Sequence, residues 1–290
     1  MELRSAPAAG DIRVIVGDTH GDHVGMLQAL RHVGAIDERG VRTAGCWLCH
    51  VGDVIHAGHG VQQDDVVCLE LALALFDCLL FGNHETRFAV GIGGFAGQNQ
   101  QLDCQSLLDA SVRDRRWLAA TAVDGYLVCH AGLHPRLLLT DSRAFESVRD
   151  TELLQDPDAV ASAINRAFEQ RIETRDPEPL FDWVGPVRSS RTSEPCGGIF
   201  WCDWTELMAA ERKPSQQSQL RQIVGHTPRR NVQRALNGRY YCTDVGAALS
   251  GYVGALVKHP DEQDWQAVRV GHSKRGRRPE PSWRLSGLRS

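Results

Sequence analysis

Residues 11–21 read Asp-Ile-Arg-Val-Ile-Val-Gly-Asp-Thr-His-Gly. A β-branched run ends on glycine and delivers at once two metal-competent side chains, Asp18 and His20. Such a run, bounded by glycine, reads as a short buried strand. The pattern recurs outward along the chain. Residues 45–51 are apolar and run into Gly52-Asp53, and residues 77–81 run into Gly82-Asn83-His84. Residues 126–129 run into His130, and residues 221–224 into Gly225-His226. Helical apolar spacing separates the early runs at 26–33 and 61–75, and residues 102–120 also read as helix. Strand, polar terminus and helix in repetition imply a layered α/β fold. In open sheets of that kind ligands bind beyond the carboxyl ends of the strands.

The rest of the chain carries weaker signals. Residues 143–175 are helical and polar, and residues 175–198 form a loop or insertion rich in Pro, Gly and Ser. Four short strands, at 232–236, 240–243, 252–257 and 265–270, read as antiparallel because turns separate them. The expected organisation is one domain over residues 11–270, with a helical and loop insertion at about 143–198. A flexible basic tail over 271–290 follows.

Composition removes several function classes. With 290 residues, 42% hydrophobic and 23% charged, the chain is an ordinary globular protein. At this length roughly three quarters of the unfolded surface can be buried. A disulfide-stapled scaffold and extensive disorder are both excluded. The net charge of −4 is not the footprint of a nucleic-acid binder, although the last 20 residues carry +5 and the remainder −9. The nine cysteines are odd in number and irregular in spacing, and residues 1–10 have no apolar signal core. The expected setting is therefore reducing and cytoplasmic, with buried thiols. The most apolar stretch, 66–81, is interrupted by Glu70 and Asp77 and is too short to span a bilayer. No membrane partner is expected.

The strand-end residues form one set: Asp18, His20, Asp53, Asn83, His84, His130 and His226. Carboxylate, imidazole and amide oxygen together suit borderline divalent ions. Asp53 has two oxygens and can bridge two ions, an arrangement that activates a water between them. Cys46 and Cys49 are a poor zinc pair, because residues three apart on a strand face opposite sides.

Gly17-Asp18-Thr19-His20-Gly21, Gly52-Asp53, Gly58, Gly82-Asn83-His84-Glu85, His130-Ala131-Gly132 and Gly225-His226-Thr227 stand in order over residues 12–246. This series resembles the calcineurin-like metallophosphoesterases. It is most similar to the phosphoprotein phosphatase type and its bacterial relatives, which include diadenosine tetraphosphatases and Shewanella-like phosphatases. The absence of a second histidine after Gly225-His226-Thr227-Pro228 points to the same branch. The resemblance implies a central β-sandwich of two mixed sheets flanked by helices. It implies that Asp18, His20 and Asp53 hold one ion and that Asp53, Asn83, His130 and His226 hold a second. Manganese is the first expectation, with iron, zinc, cobalt or nickel as alternatives. A bridging hydroxide would attack phosphorus in line, with His84 protonating the leaving oxygen. The implied activity is hydrolysis of phosphomonoesters, with a serine/threonine- or tyrosine-phosphorylated protein as substrate. A small phosphoester such as a dinucleoside polyphosphate is the alternative. Asp244, on the resembling closing strand, is read as structural.

Two positions depart from the pattern. The second motif of the family carries Asp and then Arg before its last glycine, and here His56 and Ala57 stand there. His56 is read as a partner for His84 and, with the arginines below, as a candidate substrate-binding residue. The missing phosphate grip has three candidate replacements: Arg188 and Arg191 in the Pro/Gly/Ser loop, and Arg87 just beyond His84. Loss of the arginine also leaves open a protein that binds phosphorylated partners without turnover.

Overall fold

The computed structural model describes residues 6–56, 64–92, 102–148, 152–191, 193–213 and 217–271. Ala57, Gly58, His59, the start of the expected second helix and the basic tail from residue 272 lie outside the described residues. In chain order the elements are β1 (Ile12–Val16), α1 (His23–His32), β2 (Cys46–His50), α2 (Asp65–Leu75) and β3 (Cys78–Leu80). Then come α3 (Asn83–Glu85), α4 (Gln105–Arg113), β4 (Trp117–Leu118), β5 (Ala120–Val123), β6 (Tyr126–Cys129), α5 (Pro157–Thr174) and α6 (Pro179–Asp182). The remainder are α7 (Trp204–Glu211), β7 (Gln222–Val224), β8 (Gln233–Ala235), β9 (Tyr240–Cys242), α8 (Ala247–Ser250), β10 (Tyr252–Lys258) and β11 (Gln266–Gly271).

Two mixed sheets result. One has the order β11-β10-β1-β2-β3-β4, the other β5-β6-β7-β9-β8. Alternation along the strands explains why they stack. Ile15, Trp47, Cys49, Cys78, Leu80 and Leu256 of the first sheet meet Tyr126, Val128, Ile223 and Tyr241 of the second in one buried layer. Val14, Val16, Cys46, Leu48 and Leu79 turn the other way, into the core that the helices cover. A side-chain period of two produces both faces from one run. Cys46 and Cys49 fall in these opposite layers, and all nine cysteines are free and buried.

The helices that flank the site begin at acidic caps. Asp22 accepts from Gly25 N before α1, and Asp64 accepts from Val67 N before α2. Each cap satisfies an amide that the first helical turn leaves open. Helix α5 starts with Asp156 as cap and Pro157 in its first turn. It supports the second sheet through Asn165, which accepts from Ala119 N and Ala120 N and donates to Ala120 O.

Three sequence expectations are corrected. The helix over 102–120 ends at Arg113; Arg115 adopts a left-handed φ of 53°, and the chain turns into β4 and β5. The last four strands are not one antiparallel set. Strands β8–β9 and β10–β11 are antiparallel pairs, but they belong to different sheets, and β9 also lies parallel to β7. The loop at 175–198 contains α6 and a bridge between Val184 and Gly197. Among the described residues, no helix is long and apolar enough to cross a membrane.

Candidate metal centre

The ends of β1, β2, β3, β6 and β7 converge at one edge of the sandwich. Close backbone approach makes this possible. A Cβ on Gly225 would meet Asp18 Oδ1, and a Cβ on Gly82 would meet Asp53 Oδ1, so only glycine fits at either position. The loops are also stitched together. Thr19 N and His20 N both donate to Asp53 O, at 3.1 and 2.8 Å. His226 N donates to both oxygens of Asp18, at 3.1 and 3.0 Å, tying the first motif to the last.

Glu85 fixes the middle of this edge. Fully buried, it accepts from Gly82 N and Asp53 N through one oxygen and from Val54 N and Ile55 N through the other. Burial and the nearby Asp53 charge raise its pKa to about 7, against the opposing pull of these amides. Glu85 belongs to the Gly82-Asn83-His84-Glu85 motif, but residue type alone assigns it no role. The usable signal was an acid directly after two ligand-type residues, in a loop whose amides have no strand partner.

Four side-chain-bearing residues of the centre hold left-handed backbone: His20 (φ 48°), Asp53 (φ 52°), His56 (φ 63°) and His226 (φ 65°). Such conformations cost free energy in a residue with a Cβ, and they concentrate at functional sites.

The donors fall into two groups that share Asp53. In the first, ligand-type atoms of His20, Asp53 and His84 all lie within 4.8 Å of one another. His20 Nε2 is 3.7 Å from Asp53 Oδ2 and 4.0 Å from Asp18 Oδ2. In the second, Asp53, His130 and His226 converge equally closely. His130 Nε2 is 3.0 Å from Asn83 Oδ1, 3.2 Å from His226 Nδ1 and 3.5 Å from Asp53 Oδ2. His226 Nδ1 is also 3.0 Å from Asn83 Oδ1.

Backbone carbonyls orient two of these rings. His20 Nδ1 donates to His56 O and His130 Nδ1 donates to Val51 O, each at 3.1 Å. A carbonyl can only accept, so each ring keeps Nε2 for the centre. Such outer partners are the usual way a metal-binding imidazole is aimed.

Electrostatics follow from burial. Burial raises the Asp18 carboxyl well above its usual range, and the charges of Asp244 and Asp53 add to this. For Asp53 burial acts in the same direction, but the imidazoles of His130, His84 and His20 outweigh it and hold the carboxyl well down. Burial opposes protonation of His130, yet Asp53, Asp18 and Glu85 raise it to about 9. Burial lowers His84 to about 4. Asp244 is buried, with one oxygen accepting from Gly246 N and Oδ2 without a partner among the described residues.

The donor set fits divalent ions. Asn83 Oδ1 and two imidazole nitrogens crowd within about 3 Å at a buried point, where a cation accounts for all of them. Buried carboxylates of Asp18, Asp53 and Asp244 supply charge that only a cation or a proton can balance.

The other expected residues are placed as follows. Arg188 lies beside the second group, donating Nη2 to His226 O and Thr227 Oγ1 at 3.0 and 2.9 Å and pairing through Nε with Asp203. Arg87 lies on the side of the first group, its guanidinium 5.2 Å over the ring of Phe88, which itself meets His56. Arg191 is exposed, with its amide bonded to Ser189 Oγ. His56 contacts His84, Nδ1 to Nδ1, at 3.0 Å. The ring of Trp201 meets His226 edge-on at 5.9 Å, so this tryptophan packs the wall of the second group.

No family model matches the chain, and no curated protein matches its sequence. Solved structures do match its shape. A point mutant of a cold-active protein tyrosine phosphatase superposes with a TM-score of 0.55 at 15% identity, over 93% of this chain and 83% of that one. The cold-active protein-tyrosine phosphatase of a psychrophilic Shewanella species gives 0.53 at 14% identity, over the same shares. A protein serine/threonine phosphatase from Saccharomyces cerevisiae gives 0.49 at 16% identity, over 95% and 85%. Two mixed sheets flanked by helices are thus the fold that this chain shares with the cold-active phosphatases.

Proposed function

We propose that the chain is a metal-dependent phosphoester hydrolase of the phosphoprotein phosphatase type. The observation that carries this reading is the pair of donor groups that share Asp53. Asp18, His20 and Asp53 would hold one divalent ion, and Asp53, Asn83, His130 and His226 the other. Two such ions neutralise phosphate oxygens and lower the pKa of a water between them. The chain supplies the rest. Glu85 and the 18–226 contact keep the donors at fixed spacing before substrate arrives. His84, with Nε2 3.9 Å from Asp53 Oδ2, faces the centre and supports the leaving oxygen. Arg188 is held by three contacts and presents guanidinium charge beside His226, a fixed donor for a phosphate oxygen.

A phosphomonoester on a protein side chain, at Ser/Thr or Tyr, is the leading substrate. One observation favours the dinucleoside polyphosphate alternative: Arg87 lies over the Phe88 ring that meets His56, and Arg188 is bonded to His226 O, so each donor group has a guanidinium on its side, which suits more than one phosphate. The experiment is hydrolysis of p-nitrophenyl phosphate by the purified protein with added Mn²⁺, and then with EDTA. The expected result is turnover that the chelator abolishes. Phosphopeptides and diadenosine tetraphosphate then rank the two substrates. A sample that contains metal and turns over no phosphate compound would contradict the reading and favour a binding-only protein.

A further inference from the structure

Arg188 joins three segments: its own loop, the first turn of α7 and the Gly225-His226-Thr227 strand end. Its Nη2 donates to His226 O at 3.0 Å and to Thr227 Oγ1 at 2.9 Å. The Nε edge is buried against Asp203 Oδ2 at 3.3 Å. Nη1 makes no bond among the described residues, and the side chain is 25% exposed, so Nη1 is the donor left for a ligand. A loop arginine with no such partners would be spread over many rotamers.

Asp203 divides its two oxygens between separate tasks. Oδ1 accepts from Thr205 N at 2.7 Å and caps α7. Oδ2 faces Arg188 and lies 3.5 Å from Thr227 Oγ1, which donates to it. That hydroxyl already receives Trp204 N at 2.9 Å and Arg188 Nη2, so its one proton is left for Oδ2. Asp203 is buried, and solvent screens its pairing with the guanidinium little. Glu206, in the same helical turn, holds the backbone of the arginine loop by accepting from Val187 N and Gly197 N at 3.4 and 3.2 Å. A helix cap needs one oxygen and no charge, and Asn or Ser serves as well. Capping therefore explains Oδ1 and leaves Oδ2 and the charge to Arg188.

We infer that Asp203 is a positioning residue for phosphate recognition: with Thr227 it clamps two edges of the Arg188 guanidinium and leaves Nη1 alone to meet a phosphate oxygen beside the second donor group. This rests on the reading of Arg188 as a phosphate donor and not on turnover. Without the carboxylate the guanidinium keeps its charge but loses its direction. Its ordering would then have to be imposed when phosphate binds, which weakens binding.

The test is calorimetric titration of inorganic phosphate into the whole protein loaded with Mn²⁺, as wild type, Asp203→Asn, Arg188→Ala and the double variant. Asparagine keeps an oxygen for Thr205 N, so α7 keeps its cap, but it turns an amide donor toward the guanidinium. Asp203→Asn is expected to weaken phosphate binding about tenfold or more, at unchanged metal content and Tm. In the Arg188→Ala background the same change is expected to add less than about twofold, because the residue it positions is gone. Asp203→Ser caps the helix without a second oxygen and should give the same loss, should the asparagine variant fold poorly. Unchanged phosphate affinity in a folded position-203 variant, or a loss of equal size in the Arg188→Ala background, would overturn the proposal. So would a metal-loaded wild type that binds no phosphate. A protein that shows the expected pattern and turns over no phosphate compound would sink the hydrolase reading and leave this one standing.

Discussion

The two donor groups share Asp53 and differ in almost everything else. Asn83, His130 and His226 are buried where the two sheets meet. His20 and His84 come from first-sheet loops alone, and their side chains are 15% and 23% exposed. Both departures from the resembling motif, His56 and Ala57, lie in the sequence of the exposed half. The difference has a physical cause. A donor changed in the buried half would leave polar atoms with neither partner nor water, a cost of several kcal/mol. In the exposed half, water can cover a changed group. That half is therefore where one chain can differ from another in how it treats a leaving group.

Asp53→Asn should break the comparison most severely, because it weakens both halves at once. Loss of an outer partner alone typically costs 10–100-fold, so removing a shared ligand charge should exceed about 100-fold in kcat/KM and lower metal content. Wild-type rates with full metal content would sink the bridging assignment. His84→Ala should touch the exposed half only. The expected loss is about 10²–10⁴-fold for an alkyl phosphate and far less for p-nitrophenyl phosphate, whose leaving group needs little protonation. Equal losses on both substrates would argue against a role at the leaving oxygen.

Glu85→Gln sharpens the comparison from underneath, since Glu85 holds the loops of both halves. One amide arm cannot accept from the N–H groups that now point at a carboxylate oxygen. About 3 kcal/mol should be lost, a fall in Tm of roughly 5–10 °C read by calorimetry on the metal-free protein. An unchanged Tm would mean that the loops are held elsewhere.

The smallest effect lies outside both halves. Burial, with Arg136 and Lys213 nearby and Asp141 opposing, lowers His134 to about 4. The folded group is thus a weaker base than in the unfolded chain, near 6.5. Its contribution to stability is present above about pH 6.5 and is lost as pH falls through the window to about 4. His134→Gln should make that acid limb shallower in denaturant titrations. A limb of unchanged slope would show that His134 is not responsible.

Much of the architecture was legible because each early strand is a largely apolar run that ends at Gly and a polar side chain. The ends at Val16, His50, Leu80, Cys129 and Val224 lie within one residue of that reading. The stretch 102–120 was less legible, since Trp117–Val123 is apolar enough to continue a helix. Only the left-handed turn at Arg115 shows the break. The sheet membership of β8–β11 was hidden because hairpin signals report neighbours in sequence, whereas β9 pairs with β7 across the sheet. At the site, donor identities were readable from residue type. The roles of Glu85 and of the His56 carbonyl were not, since both work through backbone atoms whose positions only the fold determines.

The most direct test of the central claim is metal stoichiometry. The protein would be loaded with Mn²⁺, passed through a desalting column and analysed for metal per chain, beside His130→Ala and His20→Ala. Two ions in the wild type are expected, with at most about one in each variant. One ion or none in a folded, fully loaded wild type would contradict a centre built from two halves around Asp53.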